Sequence, residues 1–197
     1  MTTVGLVLAA GAGRRLGGPK ALVRLTPDGP TLVETAVARV RSAGCDRVVV
    51  VVGAAADLVT DAVSATGADV VPAGEWQEGM GASLRAGLAH LDPTADDLAL
   101  VTLVDLPDVT SEVMVRVLTA AAGDGRAALA RAAYGGVPGH PVLLGRDHWD
   151  RVRDTARGDR GARDHLSATP HRLVECGDLA TGRDVDTAAD LHREARR

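Results

Sequence analysis

Short runs of apolar residues, bounded by Gly, Asp and Pro, alternate along the first half of the chain with segments of helical period. Thr3–Ala10 (TVGLVLAA), Arg47–Val52 (RVVVVV), Ala68–Pro72 (ADVVP) and Leu98–Val104 (LALVTLV) are near-continuous apolar runs, the pattern of strands covered on both faces. Between them Thr31–Ala43 opens with Thr31 and Glu34 at capping-box spacing and stops at Gly44, so it reads as a helix. Ala55–Ala65, Ser83–Leu91 and Ser111–Ala122 read as three more. This strand–helix alternation predicts an α/β fold, a three-layer αβα sandwich around a mainly parallel, Rossmann-like sheet with right-handed crossovers.

After Gly123 the pattern loosens. Ala127–Ala133 and Pro141–Leu144 read as short strands around a glycine-rich turn, Gly135–His140. Helices follow near Asp147–Thr155 and Gly161–Ala168, then a strand over His171–Cys176 and an amphipathic C-terminal helix over Thr187–Arg197. The expected organisation is a single domain, 1–197, with a regular half (1–122) and a more variable half (123–197).

Length and composition narrow the class. With 197 residues, 46% hydrophobic and 24% charged, the chain suits one domain with a buried core, and with no Phe that core must be Val, Leu and Ala. No run approaches the ~18 consecutive apolar residues of a membrane helix. Residues 4–12 are apolar, but Arg14 and Arg15 follow rather than precede them, the wrong order for a signal peptide. Cys45 and Cys176 lie far apart without CxxC spacing, which indicates neither a zinc site nor a disulfide framework. A cytoplasmic protein without a membrane partner is expected. The net charge of −4 argues against a nucleic-acid-coating surface.

Leu8–Lys20 (LAAGAGRRLGGPK) carries the first chemistry. Gly11 and Gly13 allow successive backbone N–H groups to turn toward an anion, and Arg14, Arg15 and Lys20 add charge-assisted donors. Of 22 basic residues 21 are Arg, so the lone Lys20 marks a position suited to a compact ammonium rather than a planar fork. Leu16 breaks the dinucleotide fingerprint GxGxxG, and Gly18-Pro19-Lys20-Ala21 breaks the P-loop GxxxxGK[ST]. The loop nevertheless leaves the carboxyl end of the first predicted strand, where open α/β sheets place ligands. A nucleoside triphosphate is the expected guest. Such a guest calls for magnesium, which takes one or two carboxylates. Asp105 ends the fourth predicted strand, and Asp184-Val185-Asp186-Thr187 offers a second carboxylate unless its aspartate caps the C-terminal helix. Gly79-Met80-Gly81-Ala82-Ser83 predicts a loop whose glycines let backbone approach a base, with Ser83 as ligand or helix cap. In the second half His140 lies in a turn, and Asp159 and Arg163 fall in GDRGARDH (158–165); these are the candidate acceptor contacts.

The ordered set of motifs resembles the MobA-like nucleotidyltransferases, within them the molybdenum-cofactor cytidylyltransferase type. LAAGxGxRxGxPK is similar to that family's opening signature. EWQEGMGASLRAGL (75–88), VDLPDV (104–109), GHPVL (139–143), GDRGARDHL (158–166) and DVDTAADL (184–191) resemble its later blocks in order. The resemblance implies a nucleotide-diphospho-sugar transferase-like fold, with 1–122 as the nucleotide half and 123–197 as the acceptor half. It implies Arg15, Lys20 and Asp105 as catalytic residues and Asp105 with Asp186, rather than Asp184, as metal ligands. Leu8, Ala9, Ala10, Gly11, Ala12, Gly13, Gly81 and Ser83 would hold the nucleotide. LAAG in place of LAGG implies CTP, with Cβ of Ala10 narrowing the space for a purine. The implied reaction passes CMP from CTP to a small phosphorylated acceptor, molybdopterin among them, with release of pyrophosphate. Two other classes stay open: an NAD(P)H-dependent oxidoreductase, since MobA-like chains include such enzymes acting on a blue pigment of nicotine breakdown, and a non-catalytic nucleotide-binding module. Another triphosphate such as GTP also stays open, as does the oligomeric state.

Overall fold

The computed structural model describes residues 1–92 and 94–195. Its seven strands are β1 (Thr3–Ala9), β2 (Arg47–Val52), β3 (Asp69–Pro72), β4 (Leu98–Leu103), β5 (Leu129–Tyr134), β6 (Val137–Gly145) and β7 (Arg172–Glu175). They form one sheet in the order β3-β2-β1-β4-β6-β5-β7. β6 pairs antiparallel with β4 and β5, and the other pairings are parallel. The helices are α1 (Leu32–Ser42), α2 (Ala56–Val63), α3 (Met80–Leu91), α4 (Ser111–Ala120), α5 (Trp149–Thr155), α6 (Arg163–Ala168) and α7 (Ala188–Glu194). Among the described residues no helix is long and apolar enough to cross a membrane.

Alternation along the strands builds the three layers. Val7 and Ala9 of β1, with Val48, Val50 and Val52 of β2, pack beneath Val33 and Val37 of α1 and Val113 of α4. Their neighbours Leu6, Leu8, Val49 and Val51 point the other way, onto Leu84 and Leu88 of α3 and Trp149 of α5. Both faces are buried, hence unbroken apolar runs rather than alternation with polar residues. Gly87 lets α3 sit directly on the sheet, since a Cβ there would come within 2.8 Å of Leu6.

Several element ends differ from the sequence expectation. α1 keeps its predicted capping box, Glu34 N donating to Thr31 Oγ1 and Thr31 N to Glu34 Oε2. The third helix, expected from Ser83, begins at Met80, because Gly79 at φ 111° turns the chain earlier. The turn expected over Gly135–His140 is only Gly135–Gly136, so His140 lies within β6. The turn is held shut by Glu175, which accepts from both glycine N–H groups. The C-terminal helix is capped by Thr187 with Asp190, which leaves Asp186 free of that duty. Its expected last two residues, 196–197, lie outside the described residues.

The strand order reverses between β1 and β4: β1 continues through α1 to β2 on one side, while β4 lies on its other side. That switch point opens a crevice beyond the carboxyl ends of β1 and β4, the usual ligand position of an open α/β sheet.

Candidate nucleotide and metal site

The loop after β1 lines one wall of this crevice. Gly13 adopts φ 58°, and a Cβ there would come within 1.9 Å of the Gly18 carbonyl, so the turn closes only on glycine. Leu16 and Gly18 N–H groups both donate to the Gly13 carbonyl, at 2.8 and 3.3 Å. Gly11, Ala12 and Gly13 donate their own N–H groups to no acceptor among the described residues. Three free donors on a glycine turn, with Arg14 and Arg15 beside them, form an anion cradle.

The opposite wall is acidic. Asp105 follows β4, and its carbonyl accepts from Val185 N–H at 2.9 Å. That bond brings the C-terminal segment alongside β4. Thr181, whose N–H donates to Asp108 at 2.7 Å, fixes the approach. Val185 is buried, so Asp184 and Asp186 on either side of it both turn away from the core. One carboxylate oxygen from each of Asp105, Asp184 and Asp186 lies within 4.8 Å of the others. Asp184, passed over in favour of Asp186 at the sequence level, therefore belongs to the cluster as well.

Lys20 stands between the walls. Its Nζ donates to Asp105 Oδ2 at 2.6 Å and to Asp186 Oδ1 at 2.5 Å, with the Lys20 side chain only 17% exposed. Burial pulls the Lys20 pKa down, but the two carboxylates outweigh it and the ammonium is held above its ordinary value. Burial pushes the Asp105 carboxyl up, and the Asp184 charge adds to this, with Lys20 opposing. Arg15 reaches Asp186 Oδ2 at 2.9 Å from a largely exposed position. Asp105 Oδ1 is buried with no hydrogen-bond partner among the described residues. A buried carboxylate oxygen without a donor costs about 1–3 kcal/mol or more. A second cation beside Lys20 would satisfy it. Three convergent carboxylates are a hard, all-oxygen donor set, the kind that suits Mg²⁺ or Mn²⁺.

These walls enclose a cavity of about 630 Å³, well within the range of small-ligand sites. Leu8, Ala10, Gly11, Ala12, Gly13 and Arg15 line it, as do Lys20, Ser83, Asp105, Asp159 and Asp186. Ala9 and Gly81, expected at the ligand, do not line the cavity. Ala9 points into the core beneath α1, because neighbouring strand residues face opposite ways. Gly81 faces the backbone after α5, where a Cβ would come within 2.8 Å of Arg157 N, so its smallness serves helix packing rather than base approach. Ser83, by contrast, lines the cavity from the first turns of α3, and it caps nothing. His140 and Arg163 line a smaller neighbouring cleft, which Asp159 and Met80 share with the main cavity.

Trp76 and Gly53 were not singled out from the sequence. A Cβ on Gly53 would come within 2.6 Å of Trp76 Cγ and 2.8 Å of Ala10 Cβ. Gly53 thus leaves room for both the indole and the Ala10 methyl, which line the cavity together. The signal was a glycine directly after an unbroken strand, which marks close approach.

The His140 imidazole is lowered from 6.5 to about 4, by burial first and then by the Arg131 charge. An unfolded chain takes up this proton near pH 6.5, whereas the folded one stays neutral until about 4. Its contribution to stability is therefore complete above pH 6.5 and declines as pH falls toward 4. Urea midpoints measured across that window should fall less steeply for His140→Gln than for the parent chain. Equal slopes would mean that His140 titrates normally.

Residues 5–173 match the MobA-like NTP transferase domain. The nicotine blue oxidoreductase of Paenarthrobacter nicotinovorans is 38% identical over 199 residues, covering 96% of this chain and 94% of that protein. Among solved structures, the homologue of Mycobacterium tuberculosis Rv0371c from Mycobacterium sp. strain JC1 superposes with a TM-score of 0.81 at 31% identity, covering 98% of this chain and 95% of that one. Rv0371c of M. tuberculosis H37Rv in complex with manganese gives 0.77 at 27%, covering 100% and 99%. With the family model matching residues 5–173 and the likeness to solved structures extending over nearly the whole chain, the protein belongs to the MobA-like NTP transferase family and is a nucleotidyltransferase.

Proposed function

We propose that the chain transfers CMP from CTP to a small phosphorylated acceptor, of which molybdopterin is one, and releases pyrophosphate. The observation that carries this reading is the convergence of Asp105, Asp184 and Asp186 with Lys20 opposite the glycine cradle. In this reading the N–H groups of Gly11, Ala12 and Gly13 hold the β- and γ-phosphates. Arg15 and Lys20 balance the charge that develops on the departing pyrophosphate. Asp105 and Asp186, with Asp184 beside them, would hold a divalent cation such as magnesium, which supplies charge neutralisation across the triphosphate.

An oxygen of the acceptor phosphate attacks the α-phosphorus in line, and the bond from that phosphorus to the pyrophosphate oxygen breaks. A phosphate monoester, with a second pKa of about 6, is already ionised at neutral pH. No protein group has to remove a proton. The residues act by positioning and electrostatics, as in other phosphoryl transfers. The Ala10 methyl against Gly53 and Trp76 narrows one wall, which favours a pyrimidine over a purine. The nucleotide half spans 1–122 and the acceptor half 123–197, with Asp184 and Asp186 reaching back from the second into the first.

The decisive measurement is thermal stabilisation by CTP, GTP, ATP and NADPH, each with magnesium, followed by pyrophosphate release from the best ligand with phosphorylated acceptors. A ligand at 100 times its Kd adds about 2.7 kcal/mol to stability, a plainly visible shift. CTP should stabilise most and release pyrophosphate. The relative named as an oxidoreductase supports a second reading, NADPH-dependent reduction on the same fold. Stabilisation by NADPH alone would establish that reading and exclude the first.

A further inference from the structure

Resting on the transferase reading, we infer that the cleft between β6 and α6 is a second anion site, and that it takes a phosphate-type group of the acceptor distinct from the phosphate that attacks the nucleotide. The cleft has a volume of about 50 Å³ and is lined by Arg131, His140, Asp159, Arg160 and Arg163. A water-sized group needs about 10–15 Å³ of such space, so the cleft has room for one oxyanion.

Its charges are unbalanced. Arg131, part-buried on β5, spends Nε and Nη2 on the Gly139 carbonyl at 3.3 and 3.1 Å and has no carboxylate partner among the described residues. The Arg163 guanidinium, at the start of α6, makes no hydrogen bond or ion pair among them, and its charge bears unfavourably on Arg131. Arg160 is already matched by Asp164 at 2.7 Å. Asp159 is the carboxylate of the lining and sits where the cleft joins the main cavity. Two guanidinium groups thus share one cleft with neither paired to a carboxylate among the described residues, and a part-buried charge such as that of Arg131 is costly without a counter-ion. Guanidinium forks match oxyanions bidentately. His140, neutral at pH 7, can add a hydrogen bond without adding to the repulsion.

Because Met80 and Asp159 border both spaces, an acceptor anchored here would extend into the main cavity. The acceptor class is therefore a compound with two separated anionic groups, one reacting and one docking.

The test is a calorimetric titration of inorganic phosphate into the protein saturated with Mg-CTP, and again without nucleotide. The parent chain should show saturable phosphate binding in both. Arg163→Glu, a change at an exposed position, should weaken it about tenfold or more, as expected for losing one charge-assisted contact. Arg131→Lys should weaken it less, while Mg-CTP affinity stays within about twofold in both variants. Absence of saturable phosphate binding, or equal affinity in Arg163→Glu, overturns the inference. If Mg-CTP does not bind but Arg163→Glu still abolishes phosphate binding, the transferase reading fails and the anion site stands. NADPH binding that weakens in Arg163→Glu, with NADH unaffected, would assign the site to a dinucleotide's 2′-phosphate and overturn its assignment to the acceptor.

Discussion

Changing Asp105 to Asn is expected to lower turnover by about a thousandfold or more while leaving the fold intact. Asp105 closes the carboxylate cluster from β4, and its Oδ1 is the buried oxygen that lacks a donor. Asn keeps the shape but replaces one anionic oxygen by an NH₂ group, which cannot bind a cation. Loss of several kcal/mol of charge neutralisation in the transition state corresponds to about three powers of ten in rate. The effect on stability runs the other way. Burial and the Asp184 charge both oppose ionisation of Asp105, and Lys20 keeps Asp186 as a partner. The unliganded variant should therefore melt within a few degrees of the parent, and the parent's extra stabilisation by magnesium with CTP should disappear. Pyrophosphate release, Mn²⁺ binding and thermal melts measure the three effects. Retained magnesium-dependent turnover in Asp105→Asn would remove the carboxylate cluster from the mechanism.

Lys20→Ala should lower turnover by about 10²–10³, the cost of deleting one preorganised donor at a developing charge. The ammonium now lies between Asp105 and Asp186, and its loss leaves three carboxylates facing one another. The variant should lose thermal stability without a divalent cation and regain most of it when magnesium is added, a recovery not expected of a residue that only packs. Lys20→Arg should not restore turnover. At 17% exposure the side chain fits a compact ammonium between two oxygens 2.6 and 2.5 Å away, and a planar fork is larger. Near-parental turnover in Lys20→Ala would reduce Lys20 to a structural counter-ion.

Much of the fold was legible because both faces of the sheet are covered. A strand buried on two sides must be apolar throughout, and so Arg47–Val52 and Leu98–Leu103 announced themselves. The α1 boundary was equally plain, since its cap is built from side chains three residues apart. Expectations failed where the deciding contact was remote. Ser83 was expected to open a helix that Gly79 starts earlier through its own backbone angle. His140 was expected in a turn, but the clamp of Glu175 on Gly135 and Gly136 ends the turn sooner and carries the strand back to Val137. Gly81 was credited to the ligand because nothing local revealed the Arg157 backbone packed over it.

The sequence by itself determined the three-layer alternation of strands and helices and the glycine turn after the first strand, and it marked Lys20, Asp105 and Asp186 as candidates. Each of these depends on local periodicity, on the sterics of one residue or on residue type. Tertiary structure decided that Asp184 joins the cluster and that Trp76 and Ala10 both close in on Gly53. It also decided that Arg131, from a different strand, faces Arg163 across a second cleft. Those arrangements depend on one backbone bond from Val185 to Asp105, on packing between distant segments, and on which strand lies beside which. Such non-local contacts leave no periodic trace along the chain, because the residues that make them are brought together only when the sheet is assembled.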